Sequence, residues 1–451
     1  MTFSKVLIAN RGEIALRVIR ACKELGLKTV AVYSQADTDA MHVHLADQAL
    51  CIGPAAPADS YLNQHTILLA AMASGAEAIH PGYGFLSENA MFAEAVEQLG
   101  LHFIGPTADA IRTMGDKVAA KRAMLAAGVP CVPGPDSALP NDDAAIFDVA
   151  EAIGYPVIVK AAGGGGGRGM RVIHDKSGLL AAVATTREEA RRAFGNPALY
   201  LEKFLVHPRH IEIQILCDQH GAGVWLGSRD CSMQRRHQKV LEEAPAPGIA
   251  DMALRAVGER CVEACRQIGY RGVGTFEFLY EAEAFYFIEM NTRLQVEHPV
   301  TEEVSGVDIV KAQLLVALGE PLGITQDDIV SVGHAFECRI NAEDPFTFVP
   351  SPGVLSSWSV PGGHGVRVDS HMRAGADIPP YYDSMIGKLI VRGRDRTEAL
   401  ARMRVALAGF EVEGVKTNLP LHRALFDDAG FIDGGTDIHY LERWLPQRAV
   451  T

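Results

Sequence analysis

The chain has 451 residues, 48% of them hydrophobic, and a formal net charge of −13. That length accommodates two or three domains with full cores. No uninterrupted apolar run approaches the ~18 residues a membrane helix needs, and the acidic balance argues against a nucleic-acid surface, which requires a basic stripe.

The start of the chain enters a strand at once, over residues 5–9, with no basic leader and long apolar core ahead of it. A turn at Asn10-Arg-Gly-Glu13, a helical periodicity over 14–25 closed by Gly26, and a second strand over 29–33 make a β-turn-α-β unit. Such a unit opens a parallel sheet with helices on its faces. The Gly-x-Gly-x-x-Gly fingerprint of a dinucleotide fold is missing here. His80-Pro-Gly-Tyr-Gly-Phe-Leu-Ser-Glu-Asn89 is a glycine-rich turn before a helix that starts near Glu88. Lys117 stands at the start of a helix to Ala127, as a solvated lysine or a phosphate ligand. Residues 130–140, rich in Pro, Gly, Asp and Ser, read as a linker into a separate lobe.

In that lobe a strand over 155–160 is followed by a glycine run and a strand over 170–173. Gly164 to Gly169 match Gly-x-Gly-x-x-Gly, but a strand follows where a helix is required. The pattern predicts a hairpin lid whose bare N–H groups close over phosphates, with Lys160 as a point charge. Residues 198–205 form a strand running into a hinge, able to offer a backbone C=O and N–H to an adenine edge. Residues 210–216 alternate, with their polar members on one face. Arg229, Arg235, Arg236 and Lys239 lie in a semi-buried polar strand or turn that reads as anion-binding. A helix over 251–268 follows. Its Cys261 and Cys265, one turn apart, read as packing; the eight cysteines form no Cys-x-x-Cys and fit a cytoplasmic protein with reduced thiols.

Two alternating strands come next, 275–280 and 285–288, close enough for a hairpin. Strand alternation puts Phe287, Glu289 and Asn291 on one face, where an acid and an amide can present oxygens to one hard cation. Register decides whether Glu277 joins them. If Glu281 opposes Phe285, Glu277 lies opposite Glu289; if Tyr280 opposes Phe285, the acids point to opposite faces. Facing carboxylates destabilise a ladder unless a cation sits between them, so Glu277, Glu289 and Asn291 together point to Mg²⁺ or Mn²⁺. Mg²⁺ uses few carboxylates plus substrate phosphates, which makes this a nucleotide site. Arg293, Gln295 and Glu297 add a cation, an amide and a second acid. After a helix over 307–318, strands, loops, a helix over 396–408 and the tail Gly434-Gly-Thr-Asp-Ile-His-Tyr440 complete an α+β domain.

On the opening Ile-Ala-Asn-Arg-Gly-Glu-Ile-Ala, the His80–Asn89 turn, the glycine lid, Arg229 to Lys239, Glu289 to Glu302 and the Thr-Asp-Ile-His-Tyr tail, the whole chain resembles the biotin carboxylases of bacterial acetyl-CoA carboxylase, within the ATP-grasp superfamily. The resemblance implies an α/β and α+β protein of three domains. These are a Rossmann-like N-terminal domain over 1–114, an ATP-grasp domain over 115–330 with a mobile glycine-rich lid lobe at about 131–203, and a mixed C-terminal domain over 331–446. It implies ATP contacts at Lys117, Lys160, Gly166, Gly167, Glu202, Lys203, Phe204, Leu205, His210, Gln234, His237, Glu277, Leu279, Glu289 and Ile438. It implies two Mg²⁺ or Mn²⁺ ions at Glu277, Glu289 and Asn291, bicarbonate at Lys239, Arg293, Gln295, Val296 and Glu297, and biotin at Tyr83 and Arg339. Arg293, Glu297, Lys239 and Arg339 would be catalytic.

The implied reaction is ATP-dependent carboxylation of biotin by bicarbonate, through carboxyphosphate, as the first half-reaction of acetyl-CoA carboxylase and fatty acid synthesis. The carriers of such systems hold biotin on the Lys of Met-Lys-Met, which is absent here, so biotin arrives on a separate carrier protein. Carboxyltransferase subunits and a homodimer are the other implied partners, with no nucleic acid and no membrane. Thr38, where the family has a charged residue, and His364, where the bacterial subunit has Phe in a region contributing to dimer contacts, are the departures. Service in another acyl-CoA or pyruvate carboxylase, or as a catalytically silent ATP-binding partner, are the alternatives.

Overall fold

The computed structural model describes residues 3–135, 137–162 and 169–448. Gly166 and Gly167 lie outside the described residues. Val6, Leu7 and Ile8 are fully buried because β1 (Lys5–Ile8) is central in a parallel sheet covered on both faces. With β2 (Lys28–Ser34), β3 (Gln48–Gly53), β4 (Ala78–His80) and β5 (His102–Phe103) it forms the order β3-β2-β1-β4-β5. The chain order reverses between β1 and β4, and such a switch point opens a crevice at the carboxyl ends of the strands. The two glycine-containing motifs of the N-terminal region leave there. Asn10 Nδ2 ties them together, donating to Pro81 O at 2.8 Å and Tyr83 O at 2.7 Å. Gly82, at φ 63°, has Asn10 Nδ2 2.8 Å from where a Cβ would stand, so a side chain there would force the two loops apart. The first helix, Gly12–Glu24, starts two residues earlier than the periodicity indicated.

The lid lobe is built on β6 (Val157–Ala161), β7 (Met170–Ile173) and β8 (Leu199–Lys203), in the order β7-β6-β8. β6 and β7 pair antiparallel, Lys160 opposite Met170, as a glycine hairpin requires. Helices Asp143–Ile153 and Leu179–Phe194 pack on this sheet around a core of the lobe's own, centred on Ile146, Val157, Val159, Leu199 and Leu201.

The remaining large sheet has eight strands. It runs β13 (Ala284–Asn291), β12 (Gly272–Glu281), β9 (Arg209–Cys217), β10 (Gly223–Arg235), β11 (Gln238–Ala244), β14 (His334–Asn341), then strands Met385–Gly393 and Val366–Ser370. All pair antiparallel, and β14 is bonded on one side to β11 and on the other to Met385–Gly393, so one ladder crosses sequence position 331. Near β9, β12 and β13 the apolar face packs on helix Asp251–Gln267, where Cys261 and Cys265 are buried; near β14 it packs on helix Arg396–Ala408. The polar face looks into the site. Among the described residues, no helix is long and apolar enough to cross a membrane.

Two bulges aim the polar face. In the β12–β13 hairpin Tyr280 opposes Phe285, the register that in a regular ladder would separate the acids. A register shift at Ile288 inserts one extra residue, so that Phe278 opposes Phe287 while Glu277 opposes Glu289. The acids therefore face each other, by a route that simple alternation does not contain. The same bulge corrects the expectation for Phe287. It does not share the face of Glu289 and Asn291, but packs 6.0 Å from Phe276 and from Phe278 in the core. The second bulge, at Val240, lets Met233 oppose Leu241 and Gln234 oppose Lys239. Leu241 points into the core, and Lys239 turns to the polar side.

Candidate active site

A cavity of about 1270 Å³ lies where the crevice of the parallel sheet, the lid lobe and the polar face of the large sheet meet. Every site residue implied from the sequence and lying among the described residues lines it, from Tyr83 through Lys117, Lys160 and the hinge to Arg339 and Ile438.

At one end of the cavity, β8 runs into the hinge 203–205. The Lys203 N–H is taken by Pro133 O (2.8 Å) and the Phe204 N–H by Pro156 O (3.0 Å). These two therefore do not serve a purine; Leu205 keeps the one hinge N–H without a hydrogen bond among the described residues. The tail closes this end, the Ile438 N–H donating to Pro208 O at 2.9 Å. Glu202 bridges Lys160 (2.8 Å) and Lys121 (3.4 Å). Burial would raise its carboxyl, but the two ammonium groups hold it below the ordinary range. Lys117 is the first residue of helix Lys117–Ala126, whose N-cap Asp116 accepts from Val118 N and Ala119 N.

The centre is a lattice of charges. Lys239 Nζ donates to Glu212, to Glu277 Oε1 at 2.9 Å and to Glu297 Oε1 at 2.7 Å. Burial works against the Lys239 ammonium, yet Glu212, Glu277 and Glu297 keep it charged far above the ordinary lysine range. His210 Nε2 lies 3.3 Å from Glu212 and 3.2 Å from Glu277; burial would lower its pKa, and the two carboxylates override this to about 9. Asn291 Nδ2 and Gln295 Nε2 donate to Glu277 Oε1 at 2.7 and 2.8 Å. Glu289 is exposed to the cavity and faces Glu277; desolvation by the surrounding protein, together with that neighbour, raises its carboxyl. Arg293 is held by Glu88 (2.8 Å), which also receives the Thr292 N–H, and donates to Asn291 Oδ1 at 2.7 Å.

At the far end Arg339 Nε donates to Glu242 Oε1 (2.6 Å) and Nη2 to Glu297 Oε2 (2.9 Å). Tyr83 OH donates to Glu13, and Lys388 lies 3.1 Å from Glu13 while donating to Val296 O at 2.8 Å. Glu297 thus receives Lys239 on one oxygen and Arg339 on the other.

Arg229 corrects the anion-patch reading. It is wholly buried and spends five hydrogen bonds on Glu212, Gln214, Thr301, Thr275 and Gln295. Arg235 stacks over the Phe348 ring. Of the four cations only Lys239 lines the cavity.

Three family models match successive stretches: "Biotin carboxylase, N-terminal domain" over 2–111, "Carbamoyl-phosphate synthase L chain, ATP binding domain" over 116–325, and "Biotin carboxylase C-terminal domain" over 337–443. A biotin carboxylase of Pseudomonas aeruginosa is 63% identical over 441 residues, 98% of each chain. The chain belongs to the biotin carboxylase family. Among solved structures it is similar to a biotin carboxylase–β,γ-ATP complex from Campylobacter jejuni, at TM-score 0.93 and 48% identity over 98% of this chain and 99% of that one. It is also similar to the biotin carboxylase domain dimer of Hydrogenobacter thermophilus 2-oxoglutarate carboxylase, with MgADP, ADP and bicarbonate, at TM-score 0.91 and 49% identity over 98% of both chains.

As a biotin carboxylase family member the chain has a three-domain architecture of N-terminal parallel sheet, ATP-grasp and C-terminal domains. Sequence reasoning had assigned no role to Glu13, Glu88, Glu212, Glu242, Glu337 and Lys388. A signal existed for some. Glu88 sits inside the His80–Asn89 motif, Glu212 on the polar face of β9, and Lys388 is a lone ammonium in an apolar strand.

Proposed function

We propose that the chain carboxylates biotin presented on a separate carrier protein, consuming ATP and bicarbonate and releasing ADP and phosphate. The observation that carries this reading is the sharing of Glu297 between Lys239, on the nucleotide side, and Arg339, which comes from the C-terminal domain. A group placed there can act on bicarbonate while touching the machinery for the acceptor.

Bicarbonate is a poor electrophile until phosphorylated. Glu297, kept ionised by Lys239 and Arg339 against burial, accepts its proton. Lys239, Arg293, Gln295 and the Val296 backbone hold the anion in line with the γ-phosphate, and the product is carboxyphosphate. Lys117 and Lys160 face the phosphates, and the Leu205 N–H faces the adenine edge. Glu277 and Glu289, opposed on one face with Glu289 raised, fit a divalent cation. Asn291 Oδ1 already accepts from Arg293 and retains one lone pair for it. When bound, such ions neutralise phosphate charge. Carboxyphosphate gives up its carboxyl group and the released phosphate takes the ureido N–H proton of biotin; Arg339 donates to the ureido oxygen as it becomes an enolate, with Tyr83 beside it. Closure of the glycine lid over ATP excludes water that would hydrolyse carboxyphosphate. The final acceptor, acetyl-CoA or another acyl-CoA or keto acid, does not enter this site. Carrier and carboxyltransferase chains, a homodimer and a cytoplasmic setting complete the reading; the eight cysteines are free thiols, which supports the last.

Two ATPase rates test it, with and without free biotin. Arg339→Ala loses roughly 10²–10³ of the biotin-dependent rate and keeps most of the slow bicarbonate-dependent hydrolysis, whereas Glu297→Ala loses both. An equal loss of both rates in Arg339→Ala, with a lowered melting temperature, removes Arg339 from the biotin site and leaves it a bridge between domains.

A further inference from the structure

Beneath Arg339 lies a pair of acids that the reaction as described does not use. Glu242 on β11 and Glu337 on β14 are directly opposite in the ladder, and both are 0% exposed. Neither oxygen of Glu337 has a hydrogen-bond partner, and Glu242 uses only Oε1, on Arg339. Two buried carboxylates that face each other, with Arg339 donating to only one of them, disfavour each other's ionisation. Lys388, the cation that bears most on Glu337, directs its ammonium to Glu13 and Val296 O instead.

We propose that Glu242 and Glu337 hold one proton between them, and that this proton keeps the positive charge of Arg339 available to the biotin oxygen. The proposal rests on the reading of Arg339 as the biotin contact. With both acids ionised, Arg339 would be flanked by Glu242, Glu297 and a third negative charge two residues away on its own strand. An enolate forming on its free edge would then face an arginine whose charge is shared among three carboxylates. With the proton present, residing chiefly on Glu337, Glu242 stays an acceptor that fixes the guanidinium plane while the surplus charge is gone. Glu242 and Glu337 are positioning and charge-setting residues here, not catalytic ones.

On the polar side Glu337 meets Glu242 from β11, Lys388 from strand Met385–Gly393, and Arg339 from its own strand, with Glu297 beyond. Tyr83 and Glu13 approach from the N-terminal domain. His298, on helix His298–Ser305, is held neutral by burial and by Lys388. Helix Arg396–Ala408 covers the opposite face through Ala399, Leu400 and Met403. Burial, more than the opposed Glu242, pushes the Glu337 carboxyl well above the ordinary range, and burial also raises Glu242 against the pull of Arg339.

The test uses the full chain, with Glu337→Gln as a neutral isostere. Infrared spectra at pH 7.5 should show a protonated-carboxyl C=O band that weakens in Glu337→Gln. The biotin-dependent rate near neutrality should stay within a few-fold of the parent, and its alkaline limb should move up by about one pH unit or more. The biotin-independent ATPase profile should not move. A raised acid costs stability as pH climbs from the ordinary glutamate range toward its folded pKa, so Glu337→Gln should melt at or above the parent at pH 8. An unchanged band, or an alkaline limb left in place, overturns the proposal. If Glu337→Gln does not fold, Glu242→Gln removes the facing charge and should lower the pH at which the Glu337 band disappears; a band whose midpoint does not move overturns the proposal there too. The infrared and melting readouts need no biotin activity, so a protein that failed to carboxylate biotin would refute the functional reading and still answer this one.

Discussion

Replacing Arg229 by Met removes the most heavily used side chain in the large sheet while nearly preserving its volume. Breaking a buried ion pair from one side costs about 3–5 kcal/mol. Two features place Arg229→Met at the low end. Glu212 keeps Lys239 and an approach from His210, and Gln214 Oε1 still receives the Thr275 hydroxyl at 3.4 Å. Gln295 Oε1, by contrast, loses the Arg229 bond at 2.5 Å, so a buried carbonyl oxygen is orphaned. The loss should be about 3 kcal/mol, a large part of the ~5–15 kcal/mol that holds a domain together. Urea unfolding followed by tryptophan fluorescence measures it cleanly. The three tryptophans, Trp225, Trp358 and Trp444, all lie outside the lid lobe, so the signal reports the sheet and not the lobe with its separate core. Freed from Arg229, Gln295 should also let the KM for bicarbonate rise more than that for ATP. A loss below ~1 kcal/mol at unchanged m-value, or a KM change confined to ATP, would refute the account of Arg229 as the organiser of this face.

Because desolvation and Glu277 raise Glu289, Mg²⁺ must displace a proton there more often as pH falls; the rise in melting temperature that Mg²⁺ gives should grow from pH 5.5 to pH 8, and a shift independent of pH would count against Glu289 as a ligand. His42, His80, His371 and His422 are buried neutral, burial pulling them from 6.5 to about 4, 3, 3 and 4. Their unfolded rings take up about four protons, so stability present above pH 6.5 should be lost steeply as pH falls toward 4; a flat urea midpoint between pH 6.5 and 5 would disprove it. Ile438→Ala should raise the KM for ATP several-fold with little change in kcat, which a steady-state comparison at saturating bicarbonate checks.

The parallel sheet, the glycine hairpin and the residues of the long motifs were legible because they depend on local pattern. The bulge at Ile288 was not. Counting by twos assumes an unbroken ladder, and the extra residue carries no glycine or proline to mark it. It decides the fate of Phe287 and rescues the pairing of Glu277 with Glu289. Arg229 was misread for a related reason: nothing in Arg229-Asp-Cys-Ser shows that Glu212, Thr275, Gln295 and Thr301 converge on it from other segments. Glu13, Tyr83 and Lys388 lie up to 375 positions apart in the chain, yet two contacts join them. Partnerships of that span are set by domain packing.

The uninterrupted ladder through β11 and β14 has a consequence for dissecting this protein. Cut near residue 331, between the second and third family matches, the N-terminal fragment would leave β11 as a bare edge, its outward N–H and C=O groups unpaired. The C-terminal fragment would expose the matching edge of β14, carrying Glu337 and Arg339 into water without Glu242. Unpaired edges of this length recruit other chains, so each fragment expressed alone should self-associate. The two co-expressed should zip together along Leu241–Ala244 and Ala335–Cys338, a split protein whose reassembly would report on the junction between the ATP-grasp and C-terminal domains.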